Sequence, residues 1–311
     1  MEVIVGLDIG GTKTAVLRGT REGRILARSQ FPTPQGFAPA FERLCQEVEG
    51  HLRTAASLGD GVAAISVSIG GPLDIARGII YSPPNLPGWD AVPLKDLLAE
   101  RLQFPVHVEH DGNAGALAEQ YFGAGRGFRN IIFLTMGTGL GGGLILDGRL
   151  YRGTTDLAGE VGHMRIAPDG PEAYGKRGSW EGFCSGPGMV RLARQLYPGR
   201  WPEGVELDGR QLTELAHAAD PEALEVVAET GRWLGRGLAV LADILNPEVI
   251  VIGSMAVRLG DLLLDPAREE MQREALPGTF RACRVVPAEL GEGLGDVAAL
   301  CAAIQAWHQD G

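Results

Sequence analysis
The sequence predicts an α/β protein built as two lobes of related fold, and three observations carry that expectation. A strand, a glycine-rich turn and a second strand occur as VIVGLDIGGTKTAVL over residues 3–17 and recur as NIIFLTMGTGLGGGLIL over residues 130–146. Between and after these copies, short apolar runs of strand type alternate with longer segments of helical spacing. The chain has 311 residues, 45% of them hydrophobic, which is enough for two lobes with separate cores.

Taken in order, EVIVGLD (residues 2–8) reads as a short buried strand. The turn Ile9-Gly10-Gly11-Thr12 follows, and then a second strand near 14–19. GRILARSQF, from Gly23, alternates as a third strand, so the chain opens as an antiparallel meander. Apolar spacing from Phe41 to Leu58 suits a helix, and AAISVS (63–68) is a further strand ending at Gly70-Gly71-Pro72. Pro93 to Leu102 reads as a helix with proline in its first turn. Val106 to Glu109 forms a short strand, and Asp111 opens a helix of small residues over 113–122.

The second half is mainly helical. Its longest helix runs from Pro221 to Leu245, with Asp220 as N-cap and one buried stripe of Leu224, Val227, Gly231, Leu234, Leu238, Leu241 and Leu245. Asn246-Pro247 ends it, EVIVIG (248–253) is a strand entering another glycine turn, and a closing helix spans Asp296 to Trp307. No linker stands out. The boundary is placed near residue 115, with lobes 1–115 plus 297–311 and 116–296.

Composition narrows the partners. The net charge of −11, from 28 basic and 39 acidic side chains, repels phosphate backbones and argues against nucleic acid. The four cysteines (Cys45, Cys184, Cys283, Cys301) are scattered without a C-x-x-C pair, which suits reduced thiols. The opening MEVIVGLDIGG has no basic region of a signal peptide, and no apolar run approaches membrane-spanning length, so a cytoplasmic protein without a membrane partner is expected.

Four places carry chemistry. In the first turn, Gly10 and Gly11 let backbone N–H groups converge on phosphate oxygens, Thr12 adds a hydroxyl, Lys13 follows, and Asp8 can orient a hydrated magnesium ion. A tight hairpin with a solvated aspartate reads equally well from these residues alone. The second turn, Gly137-Thr138-Gly139 with Gly141-Gly142-Gly143, has the same phosphate logic, and so much glycine weakens a merely structural hairpin. Asp111, in EHDGNAGALAE, either caps its helix or takes the proton from an attacking hydroxyl. Glu160 and His163, in GEVGH, are groups that hydrogen-bond sugar hydroxyls, or members of a surface loop.

DIGGTKT, EHDGNAGALAEQYFGAG, TMGTGLGGGLILDGRLYRG, GEVGH and NPEVIVIG stand in the order seen in the ROK sugar kinases and repressors, and the chain resembles that family from about Ile4 to the final helix. The resemblance implies a two-lobed actin/hexokinase/Hsp70-like (ribonuclease H-like) fold with ATP in the cleft between the lobes. It implies phosphorylation of a hexose by ATP and Mg²⁺, with Asp111 as catalytic base. Gly71, Asn85, His110, Glu160, His163 and Glu181 match the sugar side; Gly10, Gly11, Thr12, Thr138 and Gly139 match the phosphate turns; and Gly253 lies near the adenosine. A homo-oligomer, dimer or tetramer, is implied by the same analogy.

Two departures from the family pattern stand out. The family's C-x-C-G-x-x-G-C-x-E appears here as EAYGKRGSWE, with Glu172, Tyr174 and Ser179 in place of the thiolates, so no structural zinc is expected and packing by Tyr174 and Trp180 must hold the loop. His110 stands where many of the kinases have asparagine, as in some of the repressors. Glucose is the leading substrate, with an N-acetylhexosamine (N-acetylmannosamine or N-acetylglucosamine), fructose or mannose as alternatives. A sugar-sensing regulator without catalysis is the reading of another class. The family's repressors carry a DNA-binding domain before the first turn, for which the seven residues ahead of Asp8 leave no room.

Overall fold
The computed structural model describes residues 1–310. It divides the chain into two compact units, one of Met1–Phe122, Arg152–Ala158 and Gly293–Gly311, the other of Gly123–Tyr151 and Gly159–Glu292.

In the first unit β1 (Glu2–Ile9), β2 (Lys13–Gly19) and β3 (Ile25–Pro32) form an antiparallel meander. Two parallel strands, β4 (Gly61–Ile69) and β5 (Val106–His110), continue the sheet on the far side of β1 in the order β3-β2-β1-β4-β5. Both faces are covered, which is why β1 is apolar at nearly every position rather than at alternate ones. On one face Leu7, Val16 and Val67 join Leu44 and Val48 of α1 (Phe37–Ser57) and Leu98 of α2 (Leu94–Leu102) in a single core. Truncating a fully buried leucine of this kind to alanine costs about 2–5 kcal/mol. On the other face Ile4, Leu17 and Ala64 pack on Leu300 and Ile304 of the closing helix (Leu294–Asp310). That helix comes close because Gly19 has no side chain; a Cβ there would lie 2.5 Å from Leu300 Cδ1.

The second unit repeats the plan. Its sheet runs β8-β7-β6-β9-β10, with β6 (Ile131–Met136), β7 (Leu140–Leu146) and β8 (Arg149–Tyr151) antiparallel and β9 (Val249–Ile252) and β10 (Arg284–Pro287) parallel to β6. Order and directions match those of the first sheet strand for strand, as the recurring strand–turn–strand pattern led us to expect. Four longer helices accompany it: α4 (Gly186–Leu196), α5 (Gly209–His217), α6 (Pro221–Leu245) and α7 (Asp261–Glu274). Asp220 caps α6, its Oδ1 accepting from Ala223 N–H at 3.0 Å, and Asn246 ends it in the left-handed conformation at φ 44°. Within the expected stripe Val227, Gly231, Leu234, Leu238 and Leu241 are buried, whereas Leu224 and Leu245 near the ends are half-buried. A Cβ on Gly231 would lie 2.6 Å from Leu263 O, so that glycine lets α6 and α7 pack with their backbones close.

The first helix starts at Phe37 rather than Phe41, after Gly36 at φ 80°. Two elements carried no signal strong enough to expect: β8, only three residues long, and β10, whose RVVP is too short to show a period. Among the described residues no helix is long and apolar enough to cross a membrane.

Candidate active site
The residues singled out in the sequence fall into two groups, one in each unit. In the first unit the turn after β1 is closed by Gly10 N–H donating to Lys13 O at 3.1 Å. The Thr33 hydroxyl donates to Gly10 O at 2.6 Å, and Thr33 N–H donates to Thr12 O at 3.1 Å. Thr12 and Lys13 are exposed at the tip. A Cβ on Gly11 would stand 2.2 Å from the carbonyl oxygen of Asn85, so only glycine lets the loop that carries Asn85 cross here. Asp8 closes the inner end of β1, paired with Ala15 on one side and Ser68 on the other.

Asp111 is the first residue of α3 (Asp111–Phe122) and directly follows β5. Its Oδ1 accepts from Gly112 N–H at 2.7 Å, the neighbouring residue rather than one two or three further on, as a capping side chain would. The side chain is 53% exposed. Gly70 and Gly71 form the adjoining wall, since Cβ atoms there would lie 3.7 Å from Asp111 Oδ2 and 2.9 Å from His110 Cδ2. Gly112 N–H also reaches His110 Nδ1 at 3.3 Å. The same nitrogen lies 3.4 Å from Asp111 Oδ1, so His110 Nδ1 meets both an N–H and a carboxylate.

Burial, then the charges of Asp111 and Asp296, push the Asp8 carboxyl up to about 6, against the pull of Lys13 and Arg28. Asp296 belongs to the closing helix and binds Arg28 Nε at 2.8 Å. An excess of negative charge around Asp8 suits a hard divalent cation. Among the described residues no three His, Cys, Asp or Glu side chains are placed to chelate a metal directly. A single carboxylate in such a setting is of the kind that suits magnesium, which keeps several waters and leans on one carboxylate and substrate phosphates.

Below Asp111 lies a group that sequence reasoning missed. Glu109 is 1% exposed, and its Oε1 accepts from His110 N–H at 3.0 Å and Asn113 Nδ2 at 2.9 Å. Its Oε2 accepts from Arg152 Nε at 3.1 Å. The only hint in the sequence is an acidic residue inside an otherwise buried strand.

In the second unit Gly137 N–H donates to Gly139 O at 2.9 Å, and Gly186 N–H donates to Gly137 O at 2.7 Å. Thr138 is exposed at the tip of this turn. It borders a cavity of ≈ 660 Å³ lined also by Gly186, Pro187, Arg191, Ser254 and Met255. Gly253, buried at the end of β9, leads into that wall and donates to Leu134 O at 2.8 Å. Helix α4, which supplies Arg191, was not singled out in the sequence; the serine N-cap before Gly-Pro was its available signal.

GEVGH lies against β7. A Cβ on Gly159 would be 2.3 Å from Gly142 O, and one on Gly162 would be 2.2 Å from Leu140 O. The two glycines thus press Glu160 and His163 onto the second glycine hairpin. Glu181 reaches the same hairpin, its Oε2 accepting from Leu140 N–H at 2.9 Å. Where the family's thiolates would stand, Ser179 is buried and caps Trp180–Phe183, Glu172 is exposed, and Tyr174 contacts His163 and Glu181. Trp180 is fully buried, donating from Nε1 to Trp233 O at 3.2 Å.

Paired five-stranded sheets of one order and direction, each with a glycine hairpin between its first two strands, define the actin-like class of α/β proteins. The ROK family profile matches residues 4–306. The chain is 37% identical to the glucokinase of Streptomyces coelicolor over 96% of each chain. It is 29% identical to the xylose repressor of Bacillus spizizenii over 93% of this chain and 73% of that one. Among solved structures, the Streptomyces griseus ROK glucokinase in complex with glucose and AMPPNP aligns with a TM-score of 0.80 at 36% identity, over 96% of this chain and 97% of its own. The ROK hexokinase of Thermus thermophilus aligns with a TM-score of 0.81 at 33% identity, over 99% of this chain and 100% of its own. The chain belongs to the ROK family.

Proposed function
We infer that this ATP-dependent sugar kinase transfers the γ-phosphate of ATP to the C6 hydroxyl of glucose, with Asp111 as general base. The observation that carries the assignment of the base is the setting of Asp111. It is a half-exposed carboxylate at a strand–helix junction, walled by Gly70, with Oδ1 facing the N–H of Gly112 and His110 Nδ1 and Oδ2 facing the wall. Its Oδ2 faces the glycine wall and is the oxygen that would take the hydroxyl proton as the new P–O bond forms.

Each glycine turn, Gly10–Lys13 of the first unit and Gly137–Gly139 of the second, is by itself suited to the phosphates of the nucleotide. Backbone N–H groups and the hydroxyls of Thr12 and Thr138 serve as donors to phosphate oxygens. The cavity beside Thr138 has the size for the nucleoside, and Gly253 directly precedes its lining residues Ser254 and Met255. Asp8 would hold Mg²⁺ through water, and the bound ion would neutralise charge on the β- and γ-phosphates. The candidate sugar ligands of the first unit are Asn85 and His110 with the Gly71 wall, and those of the second unit are Glu160, His163 and Glu181. Imidazole and carboxylate groups of this kind suit sugar hydroxyls, which both donate and accept. The reaction is placed in the cytoplasm.

Glucose is chosen because the glucokinase relatives at 36–37% identity are the ones named for that sugar. The likeness to xylose repressors, together with His110, supports a second reading as a sugar sensor without turnover. ADP release measured over a panel of hexoses tests both. Turnover with glucose supports the kinase, and sugar binding without ADP release supports the sensor.

A further inference from the structure
The hairpin Glu172–Ala173 and Lys176–Arg177 turns through two residues, Tyr174 at φ 55° and Gly175 at φ 66°. Two positive φ angles in a two-residue hairpin are the pattern of a type I′ turn, which favours asparagine or glycine at the first position. A bulky aromatic residue there is a backbone outlier, and such outliers collect at functional sites. The side chain shows what is gained. Its ring stacks on His163, centroid to centroid 3.6 Å and 22° from parallel. Its hydroxyl donates to Glu181 Oε2 at 2.6 Å, the oxygen that also accepts from Leu140 N–H. Lys176, across the turn, donates to the carbonyl of His163.

We propose that Tyr174 is a positioning residue of the sugar site, fixing the plane of the His163 ring and the carboxylate of Glu181 before the sugar arrives. The inference rests on the reading that His163 and Glu181 bind the sugar. With Oε2 occupied by Leu140 and Tyr174, Glu181 presents Oε1 as its acceptor for a sugar hydroxyl. Two side chains on separate loops then need no ordering when the sugar binds, which lowers the entropic cost of association.

The test is steady-state kinetics of the full chain with glucose or another accepted hexose, for the parent, Tyr174→Phe and Tyr174→Asn, alongside thermal unfolding. Tyr174→Asn creates the asparagine–glycine pair that such turns favour, so its Tm is expected to equal or exceed the parent's. Its sugar KM is expected to rise about tenfold or more, as for loss of a hydrogen bond to a charged group, with kcat and the KM for ATP within about twofold. Tyr174→Phe keeps the ring and is expected to fall between parent and Tyr174→Asn in sugar KM. A merely structural tyrosine would instead lower Tm and leave sugar KM alone. A parent that turns over while both variants keep the parent's sugar KM overturns this inference only. A parent that phosphorylates no hexose overturns the underlying reading, and this inference with it.

Discussion
Arg152 Nη2 lies 2.5 Å from Glu109 Oε2, two residues before the one assigned as catalytic base. Arg152 also donates to Gln305 Oε1 of the closing helix at 2.8 Å, while Asp156 Oδ2 accepts from Ile75 N–H at 3.0 Å. These contacts explain why the short stretch Arg152–Ala158 belongs to the first unit although the strand before it belongs to the second. With four donors on its two oxygens, Glu109 fixes the backbone of His110 and the side chain of Asn113, on either side of Asp111.

Arg152→Met leaves Glu109 charged and buried without its cation, a change that costs about 3–5 kcal/mol in comparable pairs. Urea unfolding is expected to show a loss of that order. The double variant Glu109→Gln/Arg152→Met is expected to recover part of it, because no unpaired charge remains. Equal stability of the single and double variants would contradict the assignment of the pair.

Asp8 supplies a pH signature. Its folded pKa, about 6, stands above the ordinary 3.8, so the native state holds the extra proton between those values. The group adds no penalty below pH 3.8, and stability is lost as pH rises through about 6, where the ionised carboxylate costs up to about 3 kcal/mol. Asp8→Asn is therefore expected to raise Tm at pH 8 and to leave it nearly unchanged at pH 4, in protein without nucleotide, while reducing kinase turnover. A fall in Tm at pH 8 would contradict this.

Two glycines of the second unit separate folding from binding. A Cβ on Gly162 would meet the backbone at Leu140 O, 2.2 Å away, whereas one on Gly139 would meet only the side-chain carboxylate of Glu181, 2.7 Å away. Gly162→Ala is expected to lower stability by about 2 kcal/mol or more, as strained core substitutions do. Gly139→Ala is expected to keep Tm within a few degrees and raise the sugar KM by displacing the Glu181 carboxylate. Thermal unfolding and sugar titration of the two variants check the contrast.

The repeated sheet was legible in the sequence because its signal is local and doubled: apolar strand, glycine turn, apolar strand, twice. The helix Pro221–Leu245 was legible for a similar reason, with a capping aspartate at one end and Asn-Pro at the other. What stayed hidden depends on distance along the chain. Glu109 and Arg152 are 43 residues apart, and nothing in either neighbourhood announces the other. Tyr174 was legible as a substitution in the loop, but its reach to His163 and Glu181 depends on two positive φ angles that no periodicity reports. Gly71 was legible as a match to the family's sugar side and Gly159 as part of GEVGH, but the atom packed against each was not, His110 in one case and Gly142 O in the other.

The most direct measurement is ADP release with glucose and ATP·Mg²⁺ by the parent and by Asp111→Asn, with Tm recorded for both. The parent is expected to turn over. The variant is expected to fold with an unchanged Tm and lose about 10²–10⁴-fold in kcat, the contribution of a general base. A folded Asp111→Asn variant working near the parent's rate would show that another group accepts the proton.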